Sequence, residues 1–481
     1  MSQTIADVLR DVLLAFFSVA AIPMLLYFLV INTSYLALIV LASVNFTRHL
    51  RRTPFAGTDS VASSALTPGV SVVLPAYNEE MVILDSVRSV LDLRHPDHQV
   101  VVVNDGSTDG TLDLLKNAYD LVPDPRTVLQ QIPARGLVRG LWVPSNPSIP
   151  LIVVDTENSG RSDSLNAGVN AATRELIVML DADSLMDPDA LLVVSQPFAD
   201  DPVDTVATGG VIRAANGCQV IGGRVVDVRM PRQMVARIQV VEYLRSFLLG
   251  RTGWSQANAL ILISGAFGMF RRDVLVEVGG LDADCIGEDF ELVMRIHRHM
   301  KDAGRDYRVV FVAEPVSWTE VPSTLAVLGR QRRRWHRGLW EVLWAYRGMT
   351  FNPKYGRVGM VALPYYWLFE LFAPLIELVG LVVVPLGLAL GVVNLNYALA
   401  LLLVAYVYGF FVTCAALLVE EVSFHRYTYW RDLVRILGAA VAENIGYRQL
   451  TAVWRLQGWW AALRNKEAVW GTMTRTGFGT D

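Results

Sequence analysis

The sequence predicts an α/β catalytic block, a mixed and mainly parallel sheet with crossover helices, fused to transmembrane and interfacial α-helices. Three observations carry this. Short β-rich runs alternate with helical patterns between residues 69 and 350, as βαβ units require. Carboxylate-rich motifs fall just after those runs, where such sheets bind ligands. Of 481 residues, 53% are hydrophobic and only 18% charged, against about 25% charged in soluble domains. The apolar excess lies toward the two ends.

The first apolar stretch, Val12 to Phe46, is interrupted by Pro23, Asn32 and Ser34. A bilayer core takes about 20 helical residues, so this exceeds one span and barely makes two. Residues 1–52 read as an interfacial helix near Ile5 to Val19 and one span over Ala21 to Phe46; a two-helix hairpin is the alternative. The stretch is too long for a signal-peptide core and lacks a small-residue cleavage site. Arg48, His49, Arg51 and Arg52 follow it, which puts the catalytic block in the cytoplasm. Residues 53–68 read as a linker.

Residues 351–430 hold an interfacial segment and two further spans, Trp367 to Val392 and Tyr397 to Val419. Basic residues flank the pair on both sides (Arg330 to Arg337, Lys354, Arg357; then His425, Arg426, Arg431, Arg435), and the connector Val393 to Asn396 is uncharged. The turn is therefore outside and the flanks inside. Residues 431–481 read as interfacial or re-entrant, with Glu443, Arg448 and Arg455 interrupting the apolar signal and Trp454, Trp459 and Trp460 suited to the headgroup level. A fourth span is the alternative. The chain is thus expected to be a multi-pass plasma-membrane (bacterial inner-membrane) protein. Cys218, Cys285 and Cys414 share no metal spacing. The net charge is −4, and no nucleic-acid partner is expected.

Within the block, Val70 to Leu74, Val100 to Val103, Leu151 to Val154 and Leu176 to Leu180 read as strands. Glu79 to Leu91, Asp109 to Tyr119 and Ser164 to Ala172 read as helices. Neither GxGxxG nor a P-loop is present, so a nucleotide must be held another way. After the first strand, Tyr77 can pack on a base; after the second, Asp105 can accept bonds from the base or ribose. Asp181 and Asp183, after the fourth, offer hard oxygens for Mg2+ or Mn2+, which would neutralise a departing diphosphate. A solvated turn is the plain alternative.

Gly287-Glu288-Asp289 opens an amphipathic pattern of Phe290, Leu292, Val293 and Ile296. Asp289 then sits in a first helical turn, where the dipole favours a carboxylate that can act as general base on a sugar hydroxyl; simple capping is the alternative. Gln331, Arg334 and Trp335, at i, i+3 and i+4, share one helix face. The indole can pack on a pyranose and Arg334 can reach a diphosphate. Arg332 and Arg333 point elsewhere, toward lipid phosphate.

These motifs, in this order, resemble the processive family-2 glycosyltransferases: cellulose, chitin, hyaluronan and poly-N-acetylglucosamine synthases. The likeness runs from about Gly69 to Arg347 and includes the flanking membrane plan, with Gln331-Arg332-Arg333-Arg334-Trp335 its most specific element. It implies a GT-A catalytic domain, inversion at the anomeric carbon, a UDP-sugar donor (UDP-glucose or UDP-N-acetylglucosamine) and Mg2+ or Mn2+. It also implies transfer to a growing polysaccharide that leaves through the enzyme's own helices. By position it assigns Tyr77, Glu79 and Asp105 to the uridine loops, and Asp181 and Asp183 to the metal, Asp183 directly. It makes Asp289 the base and Trp335 the acceptor platform, with Gln331 and Arg334 as partners. Ser264 and Gly265 begin an acceptor loop, Glu288 beside the base joins the acceptor side, and Gln239 to Leu249 matches an interface helix. Arg161 stands where the family has a donor-contacting lysine. No PilZ-like extension is expected, and Leu121 to Pro150 has no counterpart.

Glu370 and Glu377, seven residues apart, share a face of the first post-catalytic span. A carboxylate at mid-bilayer costs about 2.5–3.5 kcal/mol, so it faces a bundle interior or a watery path. The expectation is a glycan conduit, with a buried helix-holding contact as the alternative. A conduit built from so few spans draws on a second copy or an accessory subunit. Two other functions compete with a polymerase: a non-processive transferase loading a lipid carrier, and a channel or transporter.

Overall fold

A computed structural model describes residues 5–52, 67–424, 427 and 429–464. The linker up to residue 66, and with it His425 and Arg426, lie outside the described residues.

The strands are β1 (Val70–Ala76), β2 (His98–Asp105), β3 (Leu121–Pro123), β4 (Val138–Pro144), β5 (Leu151–Thr156) and β6 (Leu176–Leu180), then β7 (Ser184–Met186), β8 (Thr205–Ala214), β9 (Gln219–Ile221), β10 (Arg224–Asp227), β11 (Phe267–Arg271) and β12 (Arg308–Thr319). Ten of them form one sheet in the order β3-β4-β5-β2-β1-β6-β11-β8-β12-β7. Its centre, β5-β2-β1-β6, is parallel, joined by the helices Ile83–Leu91, Thr111–Tyr119 and Arg161–Ala171. Alternate residues of β2 serve two cores: Val101 and Val103 pack into one, Val100 and Val102 into the other. That explains the unbroken apolar runs, since a strand covered on both faces has no solvent side to mark.

Residues 121–150, for which the sequence suggested no counterpart, supply β3 and β4, which extend the sheet beyond β5, β4 pairing antiparallel with it. β11 enters antiparallel between β6 and β8, which makes the sheet mixed. The expected helix from Glu79 begins at Ile83, because Asn78 takes a left-handed φ of 57° and residues 79–82 form a turn.

Among the described residues, three helices are long and apolar enough to cross a membrane: Ile5–Val44, Val358–Ala389 and Leu395–Phe424. The N-terminal expectation of a separate interfacial helix is corrected: residues 5–52 are one continuous helix with Pro23 inside. At 1.5 Å per residue, it exceeds a hydrocarbon core of about 30 Å. The last apolar helix docks onto the sheet through Arg213 of β8 and Glu420, 2.5 Å apart and both buried.

The C-terminal region forms two helices, Trp430–Ala442 and Arg448–Leu463, separated by a kink at Ile445 and Gly446. The second packs on the Leu325–Ala345 helix so closely that a Cβ on Gly458 would lie 2.3 Å from the Arg333 carbonyl oxygen. Trp454 covers Gly329 and Trp459 meets Trp340 at 5.7 Å. Of the three tryptophans assigned to a headgroup belt, only Trp460 is largely exposed, at 57%; the other two are packing residues.

Candidate active site

The parallel strands bring their carboxyl ends to one edge, and the expected donor residues lie there. Tyr77 follows β1 with half its surface exposed, open for a base to stack on. The loops after β1 and β2 are knitted together: the Glu79 backbone N–H donates to Thr111 Oγ1 at 2.9 Å, and Gly110 N donates to Glu80 Oε2 at 2.9 Å. Asp105 is buried. Its carboxylate accepts from Ser159 N at 2.8 Å and Gly160 N at 3.0 Å. It therefore anchors the turn that starts the Arg161–Ala171 helix, and its oxygens face backbone donors of the protein itself.

Arg161 is the hub. Its Nε donates to Asp181 Oδ1 at 2.8 Å, Nη1 to Glu288 Oε1 at 2.8 Å and Nη2 to the Gly265 carbonyl at 2.6 Å. Three of the sequence motifs therefore meet on one guanidinium. The burial that would favour its neutral form is outweighed by Asp181 and Glu288, which hold it firmly cationic. Burial pushes the Glu288 carboxyl up to about 6, against the pull of Arg161 and with help from Asp289. Arg161 thus braces the acidic motifs against one another.

Asp289 occupies the first turn of the Glu288–Asp302 helix. Its Oδ2 accepts from Gly265 N at 2.8 Å and its Oδ1 from Phe290 N at 2.8 Å. Gly265 therefore touches base and hub together. A Cβ at Gly265 would sit 3.3 Å from Asp289 Oδ2 and 3.5 Å from Arg161 Nη2. Arg161, Ser264, Gly265 and Asp289 share the lining of one small cavity.

The Leu325–Ala345 helix carries the aromatic motif. It meets the Gly287–Glu288–Asp289 turn through a contact that the motifs did not reveal: a Cβ on Gly338 would lie 3.0 Å from Gly287 Cα. Only glycines allow that approach, and it sets the spacing between Asp289 and the Gln331–Trp335 face. Trp335 is 40% exposed. Gln331 Oε1 is buried without a hydrogen-bond partner among the described residues. Burial lowers the Arg334 pKa, against Glu288, Asp181 and Asp289, which places its charge in the same cluster.

Arg332 and Arg333 do not point to lipid. Arg332 donates to Glu242 Oε2 at 2.5 Å and lies over the Trp335 ring at 4.7 Å, while Arg333 donates to Gln457 at 3.1 Å. Tyr447 also donates to Glu242, at 2.9 Å. A further residue outside the motifs is Arg251, whose Nη1 is buried without a partner among the described residues. Burial pushes it down to about 10, against Tyr366 and Asp289. Its place beside Gln239 to Leu249 was the available signal.

Glu370 and Glu377 both turn inward. Glu370 accepts from Tyr35 at 3.2 Å and lies 3.5 Å from Arg455; Glu377 accepts from Arg448 Nη2 at 2.6 Å. Glu370 lies within the wide π-type turn Tyr366–Leu371 and Glu377 in the helix Ala373–Ala389 that follows, and each meets its own arginine on the C-terminal helix.

Asp181 and Asp183 flank the buried Ala182 at the end of β6. Among the described residues no three His, Cys, Asp or Glu side chains gather into a metal cage. The donor set still fits Mg2+ or Mn2+, which lean on one or two carboxylates and take the rest of their shell from water and substrate phosphate.

A parallel-centred sheet with its carboxylates at one edge, backed by a separate acceptor helix, is the GT-A architecture of nucleotide-sugar transferases. The chain aligns over 92% of its length, and over all of the other chain, with a mannosyltransferase from Pyrobaculum calidifontis solved with GDP-Man and Mn2+, at TM-score 0.50 and 18% identity; this likeness bears on the fold. Residues 71–141 match the model for glycosyl transferase family 2 and residues 176–412 that for glycosyl transferase family group 2. The chain belongs to glycosyltransferase family 2. It is 28% identical over 275 residues to the poly-beta-1,6-N-acetyl-D-glucosamine synthase of Staphylococcus epidermidis and 30% identical over 278 residues to that of Staphylococcus aureus strain COL. Each match covers 57% of this chain and 55% of the relative, so the chain spans about half the length of the curated relatives it matches.

Proposed function

We propose that the chain is a membrane-embedded, processive, inverting glycosyltransferase that polymerises sugar from a UDP-sugar and exports the polysaccharide across the plasma membrane. The observation that carries this is the Gly287–Gly338 contact, which packs the base-bearing turn against the Gln331–Trp335 face. One surface thereby offers a proton acceptor and a sugar platform. The names of the two synthases make UDP-N-acetylglucosamine the first donor to test and UDP-glucose the second. Residues 69–350 form the catalytic domain, on the cytoplasmic side. Residues 5–52, 351–424 and 430–464 supply its membrane and interface helices.

The chemistry follows from this chain's own groups. Tyr77 and Glu79 border the base, and Arg334 reaches the diphosphate. A divalent cation held by Asp183 and Asp181 would supply charge neutralisation for the departing diphosphate. Asp289 takes the proton from the acceptor hydroxyl as its oxygen attacks the anomeric carbon opposite the leaving group, which inverts that centre. Trp335 supports the accepting pyranose, with Gln331 Oε1 taking a hydroxyl hydrogen bond. Arg251 and Glu288 border the acceptor side.

The test is the size of the product made from radiolabelled UDP-N-acetylglucosamine by protein in bilayer discs. A polymer supports the proposal. A single sugar on a lipid carrier, or no product from any UDP-sugar, contradicts it.

A further inference from the structure

A cavity of about 290 Å3 lies between the Glu288–Asp302 helix, the start of β12 and the turn that leads into the first post-catalytic apolar helix. It shares no residue with the donor or acceptor groups above. Three cations line it, Lys301, Arg308 and Arg357, and no carboxylate does. Arg308 lies 3.2 Å from Asp201. Lys301 and Arg357 have no ion pair among the described residues: Lys301 sits over the Tyr307 ring at 5.4 Å, and Arg357 donates to the Ala257 carbonyl at 3.0 Å. Asp302, next to Lys301 in sequence, is taken by Lys354 at 2.6 Å.

The wall gives no negative charge either. His297 uses Nδ1 on Tyr307 at 2.8 Å and Nε2 on the Leu260 carbonyl at 2.8 Å, and burial pushes its pKa down to about 4, so it is neutral near pH 7. The cavity lining therefore gathers three cations and no carboxylate, an arrangement that an anion relieves.

Position narrows the anion. Val358 lines the cavity and is the first residue of the apolar helix Val358–Ala389. The mouth thus stands at the N-terminal end of that apolar helix. The volume is at the low end of small-molecule sites, about 300–1,000 Å3: enough for a phosphate and its immediate substituents. Paired Lys and Arg with no carboxylate suit a phosphate oxygen cluster.

We propose that this cavity binds a phosphate group through Lys301 and Arg357, with Arg308 at its edge. A lipid headgroup and a soluble phosphate share that chemistry, and the experiment separates them. Full-length protein in neutral detergent is titrated with short-chain phosphatidylglycerol, with short-chain diacylglycerol and with inorganic phosphate. Binding is read by native mass spectrometry and by melting temperature. The expected result is one retained phosphatidylglycerol with a rise of several degrees, and neither effect from diacylglycerol. Lys301→Gln with Arg357→Gln should weaken the response by about tenfold, while Arg347→Gln, an exposed juxtamembrane control, keeps it. Arg357 is exposed, so Arg357→Gln alone serves if the double variant does not fold. Displacement by millimolar inorganic phosphate would identify a soluble source; indifference to it, a lipid one. Equal binding in wild type and variants, or equal loss with Arg347→Gln, overturns the site.

Discussion

Arg161 donates to Glu288 at 2.8 Å while its Nε holds Asp181 at 2.8 Å. One side chain thereby ties a metal-site carboxylate to the helix that presents Asp289. A lysine has a single point of charge and cannot span both carboxylates and the Gly265 carbonyl as the planar fork does. Arg161→Lys should lower kcat by about tenfold, roughly 1.4 kcal/mol of barrier, with a smaller change in KM for the donor. Steady-state kinetics read the split. A large rise in donor KM at unchanged kcat would return Arg161 to the diphosphate.

Glu288 supplies a pH signature. Its folded-state pKa is raised to about 6 by burial, so the unfolded chain ionises first as pH rises. The stability it contributes is full below the ordinary carboxyl value and is lost as pH climbs through about 6. By linkage the change is about 2 kcal/mol. Glu288→Gln should flatten that part of the melting-temperature profile; an unaltered slope in the variant refutes the assignment.

Trp335 is held from behind. Arg332 lies over Trp335 at 4.7 Å and is anchored by Glu242. Trp335→Ala should shorten the product and slow elongation by about tenfold or more, with donor affinity retained, since sugar stacking is lost and the diphosphate site is not touched. Arg332→Gln should shorten product less severely. Product sizing checks both, and unchanged length in Trp335→Ala removes the platform role.

Glu377 and Arg448 test conduit against brace. Their 2.6 Å pair is partly buried, so Glu377→Ala strands a cation and should destabilise the protein by about 1–3 kcal/mol, below the cost for fully buried pairs. Glu377→Ala with Arg448→Ala should recover most of that. Thermal melts in detergent decide. Full stability in Glu377→Ala, with polymer delivery into sealed vesicles lost, would favour the conduit.

The reach of the sequence has a physical pattern. Elements with local signatures were legible: the parallel strands as apolar runs buried on both faces, and Asp289 in a first helical turn. Contacts between distant segments were not. Gly287 against Gly338 leaves no periodicity to read, and the backbone bonds Asp105 accepts from Ser159 and Gly160 join two loops far apart in sequence. Pro23 and Asn32 suggested a break, yet the N-terminal helix runs through both, with Asn32 donating to the Phe28 and Val404 carbonyls at 2.9 and 2.8 Å. β3 is a three-residue edge strand too brief to stand out, and β4 carries Arg139 and Gly140 in place of a regular apolar alternation.

The most direct test of the central claim is UDP release by the purified protein from individual UDP-sugars, with and without EDTA, in wild type and Asp183→Asn. The account predicts release from one UDP-sugar, lost in EDTA, restored by Mg2+ or Mn2+ and abolished in Asp183→Asn while the variant remains folded. Full release in saturating EDTA, or from Asp183→Asn, would contradict it.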